Sequence, residues 1–448
     1  MRGQGAHSPP GFPSSVPRKV IIMRTVAFHT LGCKVNQYDS EAMLELFEQA
    51  GYTAVDFSEK ADVYVVNTCT VTGTGDKKSL QAVRRAQRLN PAAEVVIAGC
   101  LAQRDGEKLL DTGARLVLGN AKRGQVVQLL EEAVEKGQRV AAVTDILRVP
   151  YEPLFISRHE GHTRAVLKIQ EGCDRYCTYC IIPYVRGGIR SRKPADIAAE
   201  AARLAQAGFT ELVLTGIHLT SYGRDLGDAT LLDAIRACDQ PGVQRIRLGS
   251  LEPVIVTETF VKALQGMPKV CPQFHLALQS GCDKILKAMR RRYTTAQFRD
   301  AAALLRRAFP GCAITTDVIC GFPGETDADF AETMAFCREI AFARMHVFPY
   351  SARQGTPAAA MSGQVLRAVR EERARQLIAV GNELNLAYRT AMLGQTVQVL
   401  CEECDDAAAH GYTTQYIPCA FPGGVPGRTY SVTVTGLTPD GVTGMIQE

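Results

Sequence analysis

The sequence predicts an α/β protein of three units: a doubly wound N-terminal domain over residues 25–146, a central partial (βα)6 barrel over 160–385 and a small C-terminal β-barrel over 391–448. Two changes of rhythm and one of composition support this division. Short apolar runs alternate with helical patterns at one period before residue 146 and at a longer period after 164, and the last segment carries only short runs separated by Gly and Pro. At 448 residues the chain exceeds what one hydrophobic core supports.

In the first unit the runs are TVAFHTLGC, DVYVVNTC, EVVIAGC and RLVLGN, separated by helix-like stretches such as SEAMLELFEQAG and KKSLQAVRRAQRL. Three of these four predicted strands end at a cysteine, Cys33, Cys69 and Cys100. Ligands of open parallel sheets collect beyond the carboxyl ends of the strands, so these thiols are expected to converge on a shared metal site. In the second unit AVLKIQ, ELVLTG, QRIRLGS, FHLALQS, AITTDVIC and ARMHVFPYS read as strands, each but the last followed by a helical segment. Parallel barrels carry their chemistry at the strand C-termini and in the loops that follow. In the third unit GQTVQVLCE, GYTTQYIPC, RTYSVTVTG and GVTGMIQE suggest four short strands of an OB-sized barrel.

Composition bounds the class. Apolar residues at 46% and charged residues at 22% belong to a folded soluble chain, and no apolar run approaches the ~18 residues a membrane span needs. The leader MRGQGAHSPPGFPSSVPRKV, within residues 1–24, reads as disordered and has no secretory h-region, so a cytoplasmic protein without a membrane partner is expected. Fifteen cysteines in such a chain point to metal ligation or burial rather than to disulfides. The net charge of +5 is uneven: residues 391–448 hold six acidic residues and Arg428, a charge of −5, which leaves +10 for the rest. A polyanion is expected to meet the front of the molecule.

The first barrel strand is followed at once by EGCDRYCTYCIIP, with Cys173, Cys177 and Cys180 inside eight residues. At this cysteine frequency a CxxxCxxC arises by chance in about one chain in sixty, whereas the CxxC of Cys401 and Cys404 is unremarkable and reads as strand burial. A four-iron cube or a structural zinc takes four ligands, and one loop offers three. Either one iron stays open for a ligand other than protein, or a distant Cys or His completes a zinc site.

The loop resembles that of the radical S-adenosylmethionine (SAM) superfamily, with Tyr179 before the last cysteine. HTLGCKVNQYDSEAM, NTCTVT, AGCLAQ, GCDRYCTYCIIPYVRG, GSLEP, HLALQSG with ILKAMRRRYT, and GFPGET are similar to the methylthiotransferases within that superfamily. The wording TLGCKVNQYDSE, RGGIRSR and GYTTQY is most similar to the branch acting on N6-threonylcarbamoyladenosine at position 37 of tRNA. The resemblance implies a flavodoxin-like first domain, a radical SAM barrel and a TRAM-like last domain. It implies two [4Fe–4S] clusters, one on Cys173, Cys177 and Cys180, whose open iron binds S-adenosyl-L-methionine for cleavage to a 5′-deoxyadenosyl radical. The second, on Cys33, Cys69 and Cys100, serves sulfur insertion. Cofactor contacts fall by the same resemblance to Tyr179, to Gly216 in LTGIHLTSYG, to Ser250 and Glu252 in GSLEP, and to Gln279. Gly321 and Gly324 in GFPGET allow either close approach to the cofactor or a turn. His29 and His346 read as core hydrogen-bonders.

The implied partners are the tRNA anticodon stem-loop and an electron donor such as flavodoxin or ferredoxin. Phosphate contacts are expected at Arg186, Arg190, Arg192 and Lys193, with Arg84, Arg85 and Arg290–Arg292 as further basic clusters; Tyr412 and Tyr416 are expected to stack on unpaired bases. A methylthiotransferase acting on isopentenyladenosine tRNA or on a ribosomal protein has the same clusters, and a non-catalytic iron–sulfur RNA-binding module shares the domains but not the open iron.

Overall fold

The computed structural model describes residues 24–157 and 163–447, so the leader lies almost wholly outside the described residues. The first domain is a six-stranded, all-parallel sheet of β1 (Thr25–Thr30), β2 (Thr53–Ala54), β3 (Val63–Thr68), β4 (Glu94–Gly99), β5 (Leu116–Leu118) and β6 (Val140–Ala142), in the order β2-β1-β3-β4-β5-β6. β3 is buried along its whole length, as a strand covered on both faces must be. Its alternate residues supply two cores: Tyr64 and Val66 pack with Phe57, Val83 and Ile97, while Val63 and Val65 pack with Met43, Phe47 and Leu130. The strand order reverses between β1 and β3, the switch point at which open α/β sheets bind ligands. Cys69 directly follows β3, and Cys33 stands three residues beyond β1.

The second domain contains the six expected parallel strands, β7 (Arg164–Glu171), β9 (Glu211–Gly216), β10 (Arg245–Leu248), β11 (Gln273–His275), β12 (Ala313–Cys320) and β13 (Arg344–Pro349), together with a short antiparallel β8 (Arg190–Ser191). The order is β8-β7-β9-β10, then β11-β12-β13, joined by single bridges such as Leu251 to Leu276. Helix Lys34–Gln49 of the first domain packs on this barrel, with Tyr38 and Ala42 entering the same core as Leu167 and Leu214.

A long helix, Arg367–Thr390, leads to the last domain, a closed barrel of β14 (Thr396–Cys404), β15 (Ala409–Thr413), β16 (Pro418–Phe421), β17 (Thr429–Leu437) and β18 (Val442–Ile446), ordered β14-β15-β16-β18-β17. The sequence suggests four strands here and the structure has five. GYTTQYIPC turns at Tyr416, which takes φ +66, and so supplies parts of two strands instead of one.

Two buried ionic networks dock the domains. Asp39 of the first domain pairs with Arg123, Lys168 and Arg186, and Glu171 at the end of β7 accepts from Arg186 at 2.6 Å. Under the barrel, Glu211 pairs with Arg247 at 2.7 Å, and Arg247 donates to the carbonyls of Thr414 at 2.9 Å and Thr413 at 3.3 Å in the last domain. Removing one partner of a buried pair leaves an uncompensated charge, at a cost of about 3–5 kcal/mol. Arg247→Ala is therefore expected to lower the melting temperature and to make the segment joining helix Arg367–Thr390 to β14 sensitive to protease. Thermal melts and limited proteolysis check this, and wild-type behaviour in both contradicts it.

Candidate functional site

The loop after β7 is shaped by backbone constraints. Gly172 takes φ +73, and a Cβ there would lie 1.8 Å from the Gly188 carbonyl oxygen, so only glycine fits. The loop is pinned by Cys173 N–H donating to Gly187 O at 2.9 Å, Thr178 N–H to Met289 O at 3.1 Å and Cys180 N–H to Cys177 O at 2.9 Å. Thr178 also receives the Ala358 N–H on its carbonyl at 2.8 Å. Three thiols are thus presented from a rigid loop.

The other three thiols meet at the carboxyl edge of the first sheet. Cys33 stands at the N-terminus of helix Lys34–Gln49, Cys69 follows β3, and Cys100 opens helix Cys100–Asp105 after β4. Gly32 leans on this group: a Cβ there would meet Cys69 Cβ at 2.9 Å and its Sγ at 3.0 Å. Cys100 Sγ accepts from Arg186 Nε at 3.3 Å and from Asn120 Nδ2 at 3.5 Å. Cys100 also packs on Ile181 and Val185, in the segment that leaves Cys180. One stretch of chain therefore ties the two thiol groups together.

Between them lies a cavity of about 500 Å3. Cys33 and Cys69 stand on one wall, and Tyr179, Cys180, Ile181 and Gln279 on another; Ile319, Phe348 and Tyr350 supply an apolar side. Burial pushes the Cys69 and Cys173 thiols up to about 11 and Cys180 to about 12, so as free thiols they stay protonated. A coordinated metal deprotonates its thiol outright, and Arg186 beside Cys100 and Arg291, whose Nη1 lies 3.2 Å from Cys177 Sγ, are placed to stabilise thiolate sulfur. Both donor sets fit an iron–sulfur cluster with three protein ligands.

The remaining expectations divide. Tyr179 and Gln279 line the cavity, Gln279 with φ +67, and Ser250 is exposed beyond the end of β10. The structure corrects Glu252: it is 3% exposed, and its carboxylate is held by Arg291 at 2.9 Å, Arg175 at 3.1 Å and His218 at 3.2 Å, so it positions cations behind the loop instead of offering a free ligand. Gly216 is a packing glycine, because Gln170 and Leu219 fill the space its Cβ would take. Gly321, at φ +70, gives its N–H to Glu325, which pairs with Arg373 on the long helix, so GFPGET is a turn fastened to that helix.

The arginines require the largest correction. Arg186, Arg190 and Arg192 are buried and do not face solvent phosphate. Arg186 joins the Asp39–Glu171 network, Arg190 donates to the carbonyls of Ile146 and Arg186, and Arg192 pairs with Glu200. Lys193 is exposed, as are Arg84, Arg85, Arg290 and Arg292, whereas Arg291 turns inward to Cys177. Tyr412 and Tyr416 stack on each other at 4.8 Å; Arg164 lies over both rings and Arg247 over Tyr416, so their stacking faces are engaged in the domain contact. Cys401 and Cys404 lie with their sulfurs 3.6 Å apart on β14, the first buried and the second exposed. Three residues that sequence reasoning passed over or discounted form a close group inside the barrel, His275, Asp317 and His346. His346 stands mid-strand on an exposed face of β13, away from the core. The alternation of β13 was the signal that could have shown it.

Comparison with known proteins agrees with this site. Residues 25–119 match the family described as uncharacterized protein family UPF0004, and residues 167–337 match the radical SAM superfamily. The chain is 43% identical over 410 residues to the threonylcarbamoyladenosine tRNA methylthiotransferase MtaB of Bacillus subtilis, covering 90% of this chain and 91% of that one. It is 38% identical over 387 residues to the tRNA-2-methylthio-N(6)-dimethylallyladenosine synthase of a Parafrankia species, covering 85% and 78%. Among solved structures the radical SAM methyltransferase TsrM of Kitasatospora setae shares the fold, with a TM-score of 0.54 at 16% identity over 75% of this chain and 77% of that one. The cysteine loop on the barrel and the match over residues 167–337 define a radical SAM enzyme, and the similarity along nearly the whole chain narrows the class. The chain belongs to the radical SAM tRNA methylthiotransferase family.

The Glu252 network has a pH signature. Burial raises the Glu252 carboxyl, but the His218 hydrogen bond and the charges of Arg291, His218 and Arg175 outweigh it and hold it at about 2. A depressed carboxylate contributes stability that is present above its unfolded value of about 4.3 and is lost as pH falls toward the folded value. Acid titration of tertiary circular dichroism is expected to show less loss between pH ~4.3 and ~2 in Glu252→Gln than in wild type. Identical acid profiles would contradict this.

Proposed function

We propose that this protein inserts a methylthio group into N6-threonylcarbamoyladenosine of tRNA, at C2 of the base 3′ to the anticodon. The observation that carries the reading is a cavity lined by Cys33 and Cys69 of one thiol group and by Cys180 of the other. Beside it, Cys173, Cys177 and Cys180 would hold one [4Fe–4S] cluster and Cys33, Cys69 and Cys100 a second. When bound, these groups would supply reductive cleavage of S-adenosylmethionine at the first site and sulfur insertion at the second. The protein's own part is positioning. Tyr179 and Gln279 bound the cofactor side, and the Ile319–Phe348–Tyr350 wall offers a surface for a flipped base. The greater identity to the threonylcarbamoyl relative supports that substrate over the dimethylallyl one.

With Arg186, Arg190 and Arg192 buried, tRNA phosphates are assigned to exposed cations around the cavity mouth. Helix Gly73–Leu89 begins beside cavity residue Ser351, which accepts the Gly73 N–H at 3.1 Å, and carries exposed Lys77, Lys78, Arg84 and Arg85. Arg290 and Arg292 flank the cysteine loop, and Lys193 lies beyond. The acidic last domain contributes shape more than counterion release. A small redox protein such as flavodoxin or ferredoxin is the proposed reductant. Among the described residues no helix is long and apolar enough to cross a membrane, and a cytoplasmic site of action is proposed.

Mass spectrometry of tRNA nucleosides from cells with and without the gene tests the reading directly. Loss of the 2-methylthio derivative of threonylcarbamoyladenosine is expected, and an unchanged nucleoside profile contradicts it. Anaerobic reconstitution is expected to load about eight irons per chain, halved by replacing Cys173, Cys177 and Cys180 with Ala. Cys69→Ala is expected to cleave S-adenosylmethionine and make no methylthio product; full product formation would make that triad structural. Arg290→Gln with Arg292→Gln is expected to flatten the slope of log binding constant against log salt by about two units.

A further inference from the structure

The interior of the barrel next to the cavity has an uneven balance of charge. On β13 the side chains of Arg344, His346 and Phe348 share one exposed face, and Phe348 lines the cavity. Register sets Thr315, Asp317 and Ile319 of β12 beside them, and Asp317 and Ile319 also line or adjoin the cavity. From the opposite side Lys34, the residue after Cys33, reaches toward the stacked tyrosines, with Nζ 5.9 Å from the Tyr416 ring centre.

The two glutamates of this region are committed to arginines, and its aspartate meets a histidine. Asp317 faces His275 at 3.3 Å, Glu402 pairs with Arg164, and Glu211 pairs with Arg245 and Arg247. Among the described residues neither Lys34 nor Arg344 has an ion-pair partner, and both side chains are exposed, so their charges are open to a ligand. Two exposed, unpaired cations beside the cavity favour an anion that can bond to both. A divalent metal on His275, Asp317 and His346 is disfavoured by the same two cations.

We propose that Lys34 and Arg344 form a subsite for the carboxylate of the base's N6 substituent, so that the enzyme selects an amino-acid-modified adenosine over one with an apolar substituent. This rests on the substrate assigned under Proposed function. Lys34 adjoins Cys33, and Arg344 lies two positions along the strand from His346 and four from cavity-lining Phe348. A base held against the apolar wall therefore extends its N6 arm away from the cofactor loop, toward the cations and the tyrosine pair. The carboxylate supplies the missing negative charge, and an apolar arm leaves both cations unsatisfied. Sites built to bind a polar group reject the analogue lacking it more strongly than apolar pockets reject small changes in size.

The test uses reconstituted full-length enzyme and an anticodon stem-loop carrying either threonylcarbamoyladenosine or its threoninamide, a near-isostere that loses the charge and replaces one acceptor oxygen with an NH2 donor. Wild type is expected to prefer the carboxylate by about 10- to 100-fold in kcat/KM, the range of a charge-assisted hydrogen bond. Lys34→Gln and Arg344→Gln are each expected to erase most of that preference, and Lys34→Arg to keep part of it. Iron content equal to wild type shows that each variant is folded and loaded. If the Gln variants keep the wild-type preference, the subsite is wrong while the function stands. If wild type makes no methylthio product from the carboxylate stem-loop, the function itself is overturned, and the subsite with it.

Discussion

The placement of the first domain against the barrel depends on one buried carboxylate. Asp39, on the first helix, is met by Arg123 from its own domain and by Lys168 and Arg186 from the barrel. Taking these four charged side chains out of water is expensive, and the cost is offset only if the geometry holds. When it does, the carboxyl edge of the first sheet is fixed against the start of the barrel. Arg186 then does two things at once: it completes the Asp39–Glu171 network and reaches Cys100 Sγ. The same guanidinium that joins the domains touches the second thiol group.

That arrangement converts two ordinary folds into one site. A doubly wound sheet places ligands at its switch point, and a parallel barrel places chemistry after its first strand. Neither rule says that the two places should face each other. The Asp39 network and the packing of Ile181 and Val185 on Cys100 impose it. Sulfur and radical chemistry need groups within contact of one substrate atom, so a loose domain contact would separate the functions.

Much of this was legible in the sequence because local rules governed it. Strands buried on both faces read as apolar runs, and cysteines after three such runs marked the sheet edge. CxxxCxxC marked the barrel loop. The basic residues misled for a physical reason. RGGIRSR looks like a solvated phosphate-binding loop because charge is visible in one dimension and burial is not. The partners that neutralise Arg186 and Arg192, Asp39 and Glu200, are distant in sequence or hidden on a helix's buried face. Tyr412 and Tyr416 misled similarly: their stacking partners are each other and Arg164, which belongs to another domain. Lys34 was in plain view inside a quoted motif, yet its lack of a counter-charge is a property of the assembled barrel.

The central claim is geometric: two iron–sulfur sites share one cavity. An anomalous-scattering map at the iron edge, from crystals of the anaerobically reconstituted protein, tests it most directly. Two iron centres are predicted, one on Cys173, Cys177 and Cys180 and one on Cys33, Cys69 and Cys100, facing each other across the space bounded by Gln279 and Phe348. A single centre, or a second one opening on a different face of the molecule, would contradict the account.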